Sequence, residues 1–382
     1  MSDWDTSRVT DQKPNSKLAL SSVTSIRKWI IAGFGLARIS SWRERSTNHR
    51  IFATMVSVAA LTCGVKIIAT MKESVVAQQF GVSDYLDAFL IAYILPSFAI
   101  NVISGSFNSA LIPTYIQVRE GDGLKPAQRL ISSTTLWSLG LLATVTLILG
   151  LGSSPLLRLL GANFAPAKLE LTHSLFLLLL PVLPLAGIST VCAAILNANQ
   201  RFAVVSTVPA VTPVCVIIGA CVFGKDWGTY AIAGGILFAS CLESLLLIFS
   251  LKRLGISITP RWYGMNPAIK GVLKQYAPMI AAGFIVNGAV LVDQSMAARL
   301  GPGSVSVLNY GNRIVTVALG IGTMALSTAV LPQFSRMVVQ KDWSGVNHTL
   351  RTYTRLILIV TIPVATVFIL LSKPLVRLLF EH

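Results

Sequence analysis

Long apolar runs separated by short polar connections dominate the chain after residue 50. A transmembrane helix needs about 20 apolar residues to cross roughly 30 Å of hydrocarbon, so each run of that length predicts one membrane-spanning helix. The pattern predicts nine spans, at residues 52–71, 86–112, 132–152, 172–196, 203–223, 229–250, 275–298, 307–331 and 354–372. Prolines inside several spans predict kinked helices, which serve either conformational change or packing alone.

The first 50 residues differ from the rest because they are polar and basic. Their one apolar run, Trp29–Ala37, is too short to span a membrane and is not followed by a small-residue cleavage site. The longer segment around this run, residues 25–45, mixes Trp, Ile, Phe and Arg, which is typical of a helix that lies on a membrane surface, and plain disorder is the alternative. Residues 1–50 are therefore predicted to form a basic extension before the membrane domain.

The composition indicates an integral membrane protein. Hydrophobic residues make up 53% of the chain and charged residues only 12%, against about 25% in soluble domains. The net charge of +16 could indicate a nucleic-acid binder, but the basic residues lie mostly between apolar runs. The five cysteines lie in or beside apolar runs without a CxxC pair, so neither a disulfide framework nor a metal site is predicted.

The distribution of basic residues predicts the orientation of the chain. Most of the 31 Lys and Arg residues fall in the N-terminal extension and in the connections after spans two, four, six and eight. Because cytoplasmic loops carry an excess of Lys and Arg, the N-terminus is predicted to be cytoplasmic. An odd number of spans then leaves the C-terminus on the outer side.

An internal repeat predicts two similar halves. The segment from Phe80 to Val118 is echoed by the segment from Leu300 to Met337, so span two matches span eight; chance likeness of apolar sequence is the alternative. Copies six spans apart share one orientation, which predicts an all-α bundle of two pseudo-symmetric lobes related by an axis along the membrane normal, the second lobe incomplete. The predicted domains are an extension at 1–50, an N-lobe at 51–251, a cytoplasmic loop at 252–274 and a partial C-lobe at 275–382.

Charged side chains inside the predicted spans are few, and each costs at least about 2.5 kcal/mol in hydrocarbon. The candidates among them and directly at their ends are Lys66 and Lys72 towards the outer end of span one, Asp87 at the start of span two, Glu243 in span six, Asp293 in span seven and Arg313 in span eight. Opposite charges can pair as structural bridges, for example Asp293 with Arg313. Alternatively, the three cations line a central cavity for an anionic group such as a pyrophosphate, which suits the planar guanidinium fork.

Four segments carry a resemblance to a known family: KESVVAQQFGVSDYLDAFLIAYILPS, GSFNSALIPTY, ILNANQRF and YGNRIVTVALGIGTMALSTAVLPQFSR. From residue 51 onwards the chain resembles the MurJ/MviN family of lipid II flippases, within the multidrug/oligosaccharidyl-lipid/polysaccharide exporter superfamily. The resemblance implies two six-helix lobes that move undecaprenyl-pyrophosphate-linked saccharide across the bacterial inner membrane by alternating access, in peptidoglycan synthesis. It implies a transporter and not an enzyme, without a cofactor.

The resemblance also implies a substrate site. It places the family's cavity arginine at Arg313 and its acidic residue at Asp87, whereas Lys66 and Lys72 stand where the family has arginines. The arginine midway along span two falls at Ile100 or Asn101, where this chain has no charge. This loss makes a lipid-linked exopolysaccharide unit an alternative cargo to lipid II. The predicted substrate-binding residues are Arg313, Lys66, Lys72, Asp87 and Asn101.

The sequence also leads to expectations about the ion that drives transport and about the number of helices. Asp293 or Glu243 is a candidate for binding a proton or a sodium ion, and a membrane potential acting on a cationic cavity is an equal alternative at about 2.3 kcal/mol per charge per 100 mV. Family members have more helices than the nine predicted here. This difference implies a truncated product, a partner chain or a fragment, and predicts poor transport by this chain alone.

Rival functions fit the sequence less well. A multidrug exporter of the same superfamily would need an acidic or aromatic cavity for organic cations, whereas the candidate cavity is cationic. A membrane-bound glycosyl- or acyltransferase would need a catalytic set, but no histidine stands at a recognisable catalytic spacing from an acid. A structural scaffold, for instance an inactive shortened homologue, is the third rival.

Overall fold

The computed structural model describes residues 47–256, 258–264, 267–313, 315–316 and 343–370. The chain divides into two compact units, residues 1–56 and 57–382, and only residues 47–56 of the first are described. The predicted surface helix around Trp29–Ala37 therefore lies outside the described residues.

Every regular element in the described part of the chain is helical. The α-helices are α1 (Thr47–Phe80), α2 (Asp84–Ala99), α3 (Gly105–Gly121), α4 (Leu124–Leu151), α5 (Ser153–Leu160), α6 (Pro166–Leu179), α7 (Val182–Ala198), α8 (Phe202–Thr207), α9 (Val211–Trp227), α10 (Thr229–Arg253), α11 (Pro267–Ala297), α12 (304–313) and α13 (Trp343–Leu370). A π-helical segment, Ile100–Ser104, joins α2 to α3, and a 3-10 segment, Val208–Ala210, joins α8 to α9.

These helices confirm an all-α polytopic membrane protein. Six helical stretches among the described residues are long and apolar enough to cross a membrane, and they match predicted spans two to seven: Asp84–Gly121, Leu124–Leu151, Pro166–Ala198, Phe202–Trp227, Thr229–Arg253 and Ile269–Ala297. Predicted spans one and nine overlap the longer helices α1 and α13, and span eight is described only as far as residue 316. The division into two pseudo-symmetric lobes stays a prediction.

Span two is not a uniform helix, because it widens into a π-helical segment between α2 and α3. In a π turn each backbone hydrogen bond joins residues five apart, whereas in an α turn it joins residues four apart. The change of pattern leaves nearby carbonyl oxygens able to accept from other donors. Tyr276 of α11 supplies one, since its hydroxyl donates to the Ile103 carbonyl at 2.8 Å. Ser106 at the start of α3 donates in turn to the Met279 carbonyl at 3.1 Å. These bonds join α11 to the widened part of span two.

Helix packing depends on glycines at close crossings. Lipid tails are as apolar as leucine, so membrane helices associate through close backbone approach at small residues. A Cβ added to Gly219 of α9 would lie 2.8 Å from the Ala231 carbonyl oxygen of α10, and one added to Gly235 would lie 3.2 Å from the Cys215 carbonyl oxygen. The pair α9 and α10 therefore packs backbone against backbone.

Candidate functional site

Arg313, the arginine of predicted span eight, pairs with an acidic residue of α1. Its Nη2 atom lies 3.3 Å from Glu73 Oε1, and the ammonium of Lys72 lies 2.8 Å from the same oxygen. Side-chain exposure is 35% for Arg313, 23% for Lys72 and 14% for Glu73, so the carboxylate is the most enclosed of the three. We call Lys72, Glu73 and Arg313 the Glu73 cluster.

Glu73 was missed by the sequence interpretation, which ended the first span at residue 71. The helix runs on to Phe80, so Lys72 and Glu73 lie within α1 and not in a loop. The apolar residues Val75, Val76 and Ala77 beyond Glu73 were the available signal for this longer helix. The suggested bridge between Asp293 and Arg313 is not formed, because the guanidinium of Arg313 lies against Glu73 instead.

Lys66 is the third predicted cation, and it lies exposed on α1. Residues seven apart lie on nearly the same face of an α-helix, about 10 Å apart along its axis, so Lys66 shares a face with Glu73. No ion pair involves Lys66 in the described part of the chain. Lys66 and the Glu73 cluster together contain three cations and one carboxylate, which leaves positive charge available to an anionic group.

Asp87 is completely buried and joins two distant parts of the chain. Its Oδ1 atom accepts hydrogen bonds from the Ser306 amide at 2.8 Å and from the Ser306 hydroxyl at 2.6 Å. Its Oδ2 atom accepts from the Gly303 amide at 2.6 Å. These amides lie at the start of α12, where a helix leaves N–H groups without internal acceptors and favours negative charge. Asp87 therefore caps α12 and presents no accessible oxygen to a substrate in this structure.

Lys168 of α6 balances the charge of Asp87. Its ammonium lies 3.2 Å from Asp87 Oδ2 and 2.6 Å from Asp84 Oδ1, and it also lies 4.1 Å from the centre of the Phe164 ring. The Lys168 side chain is only 10% exposed, so little water separates it from the carboxylates. We call Asp87, Lys168, Gly303 and Ser306 the Asp87 junction.

Further contacts surround the junction. Gly303 has φ +79°, and an added Cβ would lie 2.3 Å from Val82 Cγ1, so both conformation and space require glycine there. The Asn163 amide donates to the Arg299 carbonyl at 2.9 Å. The Tyr310 hydroxyl donates to the Gly81 carbonyl at 3.3 Å. Thus α12 is attached to the turn between α1 and α2, and the connection before α12 is attached to the connection before α6.

The other predicted site residues lie apart from the Glu73 cluster. Asn101 is exposed on the π-helical segment, and Asp293 is exposed on α11, where it lines a mainly apolar cavity of about 700 Å³. Glu243 accepts a hydrogen bond from the hydroxyl of Thr212 of α9. No side-chain hydrogen bond or ion pair between described residues connects these three with the cluster. Within the described ranges, no three His, Cys, Asp or Glu side chains are grouped so that they could hold a metal ion.

Comparison with known proteins identifies relatives along most of the chain. The family model described as lipid II flippase MurJ matches residues 76–382. The chain is 27% identical over 353 residues to a probable lipid II flippase MurJ of Vibrio cholerae, and the alignment covers 88% of this chain and 66% of that protein. It is 23% identical over 348 residues to the lipid II flippase MurJ of Burkholderia cenocepacia, with 87% and 66% covered. The chain thus spans about two thirds of the length of these relatives.

Solved structures show the same fold. The structure described as lipid II flippase MurJ in an inward closed conformation superposes with a TM-score of 0.72 at 24% identity, over 86% of this chain and 68% of that one. An inward-facing multidrug transporter of the MATE family superposes with a TM-score of 0.59 at 15% identity, over 71% and 64%. Since the family model covers far more than half of the sequence, the chain belongs to the lipid II flippase MurJ family.

Proposed function

We propose that this protein moves a lipid-linked saccharide, lipid II, across the bacterial inner membrane, with its N-terminus in the cytoplasm. Family membership supports this activity, and the relatives with which the chain aligns are named for it. The proposed process is transport, in which no covalent bond of the substrate changes. In the proposed cycle the polar headgroup passes through the bundle while the prenyl chain stays in lipid.

The Glu73 cluster is the observation that carries the proposal. A pyrophosphate has more negative charge and more acceptor oxygens than one carboxylate, so it can replace Glu73 as the partner of Arg313 and Lys72. The planar fork of Arg313 can hold two phosphate oxygens at once, whereas the ammonium of Lys72 acts as a compact charge. Charge-assisted hydrogen bonds of this kind contribute roughly 1.5–3 kcal/mol each.

Glu73 has a separate role in this mechanism. Without substrate, unpaired cations inside a membrane would be costly, and the carboxylate stabilises them. When the pyrophosphate arrives, Arg313 and Lys72 exchange Glu73 for the headgroup, and the Glu73 carboxylate is released to water. The exchange makes substrate binding and rearrangement of α1 against α12 parts of the same step.

The Asp87 junction provides the proposed outer closure. The predicted orientation puts the turn between α1 and α2, and the turn before α12, on the outer side of the membrane. Release of the headgroup outwards would then require the Gly303 and Ser306 amides to leave Asp87. Lys168 remains beside Asp87 during this movement, so the exposed carboxylate keeps a cation partner.

A lipid-linked exopolysaccharide unit is the second candidate cargo. Asn101, one of the two positions at which the resemblance places the family's arginine, is exposed and uncharged, and Lys66 and Lys72 lack the bidentate geometry of arginine. A headgroup with fewer phosphate contacts and more sugar hydroxyls would suit an amide at this position. Export of polysaccharide is the assay that separates this candidate from lipid II.

Complementation tests the proposed function. The chain is expressed in a bacterium depleted of its own lipid II flippase, both as it stands and fused to the part of the Vibrio cholerae relative that the alignment does not cover, and lipid II is measured on the outer face. We expect the extended form to restore lipid II exposure and Arg313→Ala to abolish it. Arg351→Ala, which removes an exposed arginine of α13, is the matched control and should retain activity. Equal rescue by both variants would contradict the proposal.

A further inference from the structure

Glu243 is an acidic side chain placed near the middle of a membrane-spanning helix. It lies on α10, about 21 Å along the helix axis from Thr229 and about 15 Å from Arg253. A carboxylate at this depth in a span of roughly 30 Å is costly unless other groups compensate its charge. Its surroundings therefore indicate which protonation state it adopts.

The partners of Glu243 are neutral. Thr212 donates both its hydroxyl, at 2.6 Å, and its backbone amide, at 3.3 Å, to Oε1. Among the described residues no lysine or arginine forms an ion pair with Glu243, and Oε2 has no hydrogen-bond partner. Tyr93 of α2 and Cys215 of α9 are two titratable groups of neighbouring helices close enough to interact with its charge, and neither is a cation.

The geometry favours a proton over a metal cation. A hard cation is held by several oxygen lone pairs, whereas an amide N–H has none to offer. At Glu243 the amide and the hydroxyl of Thr212 both direct hydrogens towards Oε1, which would repel a cation bound there. A carboxylic acid fits without conflict, because its carbonyl oxygen accepts both hydrogen bonds and its other oxygen carries the proton.

We propose that Glu243 is a proton-binding site in the membrane core, with Oε1 held by Thr212 and the proton carried on Oε2. On release, the bond between Oε2 and hydrogen breaks, its electron pair stays on the carboxylate, and the proton passes to water. Glu243 is only partly buried, which gives water access to this oxygen. The site itself requires no lipid substrate.

The position of Glu243 links this proton to the shape of span five. That span is interrupted by the 3-10 segment between α8 and α9, and Thr212 is the second residue of α9. The amides in the first turn of a helix lack acceptors within that helix. Glu243 therefore supplies a hydrogen-bond acceptor at the point where α9 begins inside the membrane. Loss of the Glu243 proton therefore places a negative charge beside the first turn of α9 and near Tyr93.

Tyr93 extends the effect to span two. Its ring stacks on Phe89 with centroids 6.1 Å apart, and both lie on α2, the helix that begins at the Asp87 junction. A negative charge at Glu243 therefore acts on the helix that the junction holds. This link to the outer closure is the one part of the inference that rests on the proposed transport function.

Infrared difference spectroscopy tests the site directly. Spectra of the whole chain in lipid nanodiscs are compared between alkaline and acidic buffer, and the carbonyl stretching band of protonated carboxyl groups is followed. We expect Glu243→Gln to remove one such band that is present in the unchanged protein. Glu170→Gln, at an exposed residue of α6, is the control and should keep it. An unchanged band in Glu243→Gln would overturn the proposal.

A second variant keeps the test decisive if Glu243→Gln fails to fold. Thr212→Val preserves the size of the side chain and removes the hydroxyl that donates to Oε1. We expect the carbonyl band to shift, because the carbonyl loses a hydrogen-bond donor. A band at its original frequency would overturn the assignment to Glu243. Neither spectrum depends on lipid transport, so failure of the flippase proposal and failure of the proton site are separately visible.

Discussion

At the scale of single residues, two neighbouring carboxylates contact the same lysine in different surroundings. Asp84 and Asp87 both pair with Lys168, but the side chain of Asp84 is 54% exposed whereas that of Asp87 is fully buried. Asp87 also accepts three hydrogen bonds at the start of α12. Burial and number of partners, and not charge alone, therefore give Asp87 the larger structural role.

The Asp87 junction leads to a stability prediction. Asp87→Asn leaves Lys168 without its buried partner and replaces one accepting oxygen with a donor that faces backbone amides. Breaking a buried pair in this way costs about 3–5 kcal/mol, so we expect the thermal unfolding temperature of the detergent-solubilised chain to fall markedly. Asp84→Asn, on the exposed side of the same lysine, should cost less than about 1 kcal/mol. Equal losses for the two variants in thermal unfolding would refute this assignment.

At the scale of secondary structure, hydrophobic runs predicted the spans well, whereas local irregularities escaped prediction. Apolar length is a direct requirement of the bilayer, so predicted spans two to seven each coincide with a helical stretch. The π-helical segment Ile100–Ser104 escaped prediction because an apolar run gives no periodic sign of one wider turn. The length of α1 was underestimated because Lys72 and Glu73 resemble the polar end of a span.

The candidate site was predicted only in part, for a related reason. Charge inside an apolar run reveals that Lys72, Arg313 and Asp87 are unusual, since hydrocarbon disfavours each of them. Sequence does not reveal which distant groups meet, such as Asp87 with the amides of Gly303 and Ser306. Backbone amides are the same at every position, so their role at the start of α12 becomes visible only in three dimensions.

The contact between α9 and α10 gives a prediction at this scale. Gly219→Ala would place a Cβ 2.8 Å from the backbone oxygen of Ala231, which cannot rotate away. We expect a loss of about 1–3 kcal/mol in the free energy of unfolding, because the helices must separate. Gly234→Ala on α10 meets no atom within 4 Å and should be neutral or stabilising by up to about 1 kcal/mol. Denaturant unfolding of both variants decides the matter, and a Gly219→Ala chain as stable as the unchanged protein would contradict it.

At the scale of the whole molecule, three of the polar features among the described residues join separate helices. The Glu73 cluster joins α1 to α12, the Asp87 junction joins α2 and α6 to α12, and Glu243 joins α10 to α9. Two of them meet at α12, so movement of α12 would change the Glu73 cluster and the Asp87 junction together. We infer that exchange of Glu73 for a pyrophosphate and opening of the junction are coupled through this helix.

Binding of a pyrophosphate lipid to the purified chain in nanodiscs tests this central claim most directly. Affinity for a prenyl pyrophosphate is compared with affinity for the same prenyl chain ending in a hydroxyl, in the unchanged protein, Arg313→Ala, Glu73→Gln and the control Arg351→Ala. We predict that Arg313→Ala weakens pyrophosphate binding about tenfold or more, equivalent to at least about 1.4 kcal/mol, and that Glu73→Gln strengthens it because the competing carboxylate is gone. Binding of the hydroxyl lipid should not change. Pyrophosphate affinity that is the same in all four proteins would contradict the claim that the Glu73 cluster receives the headgroup.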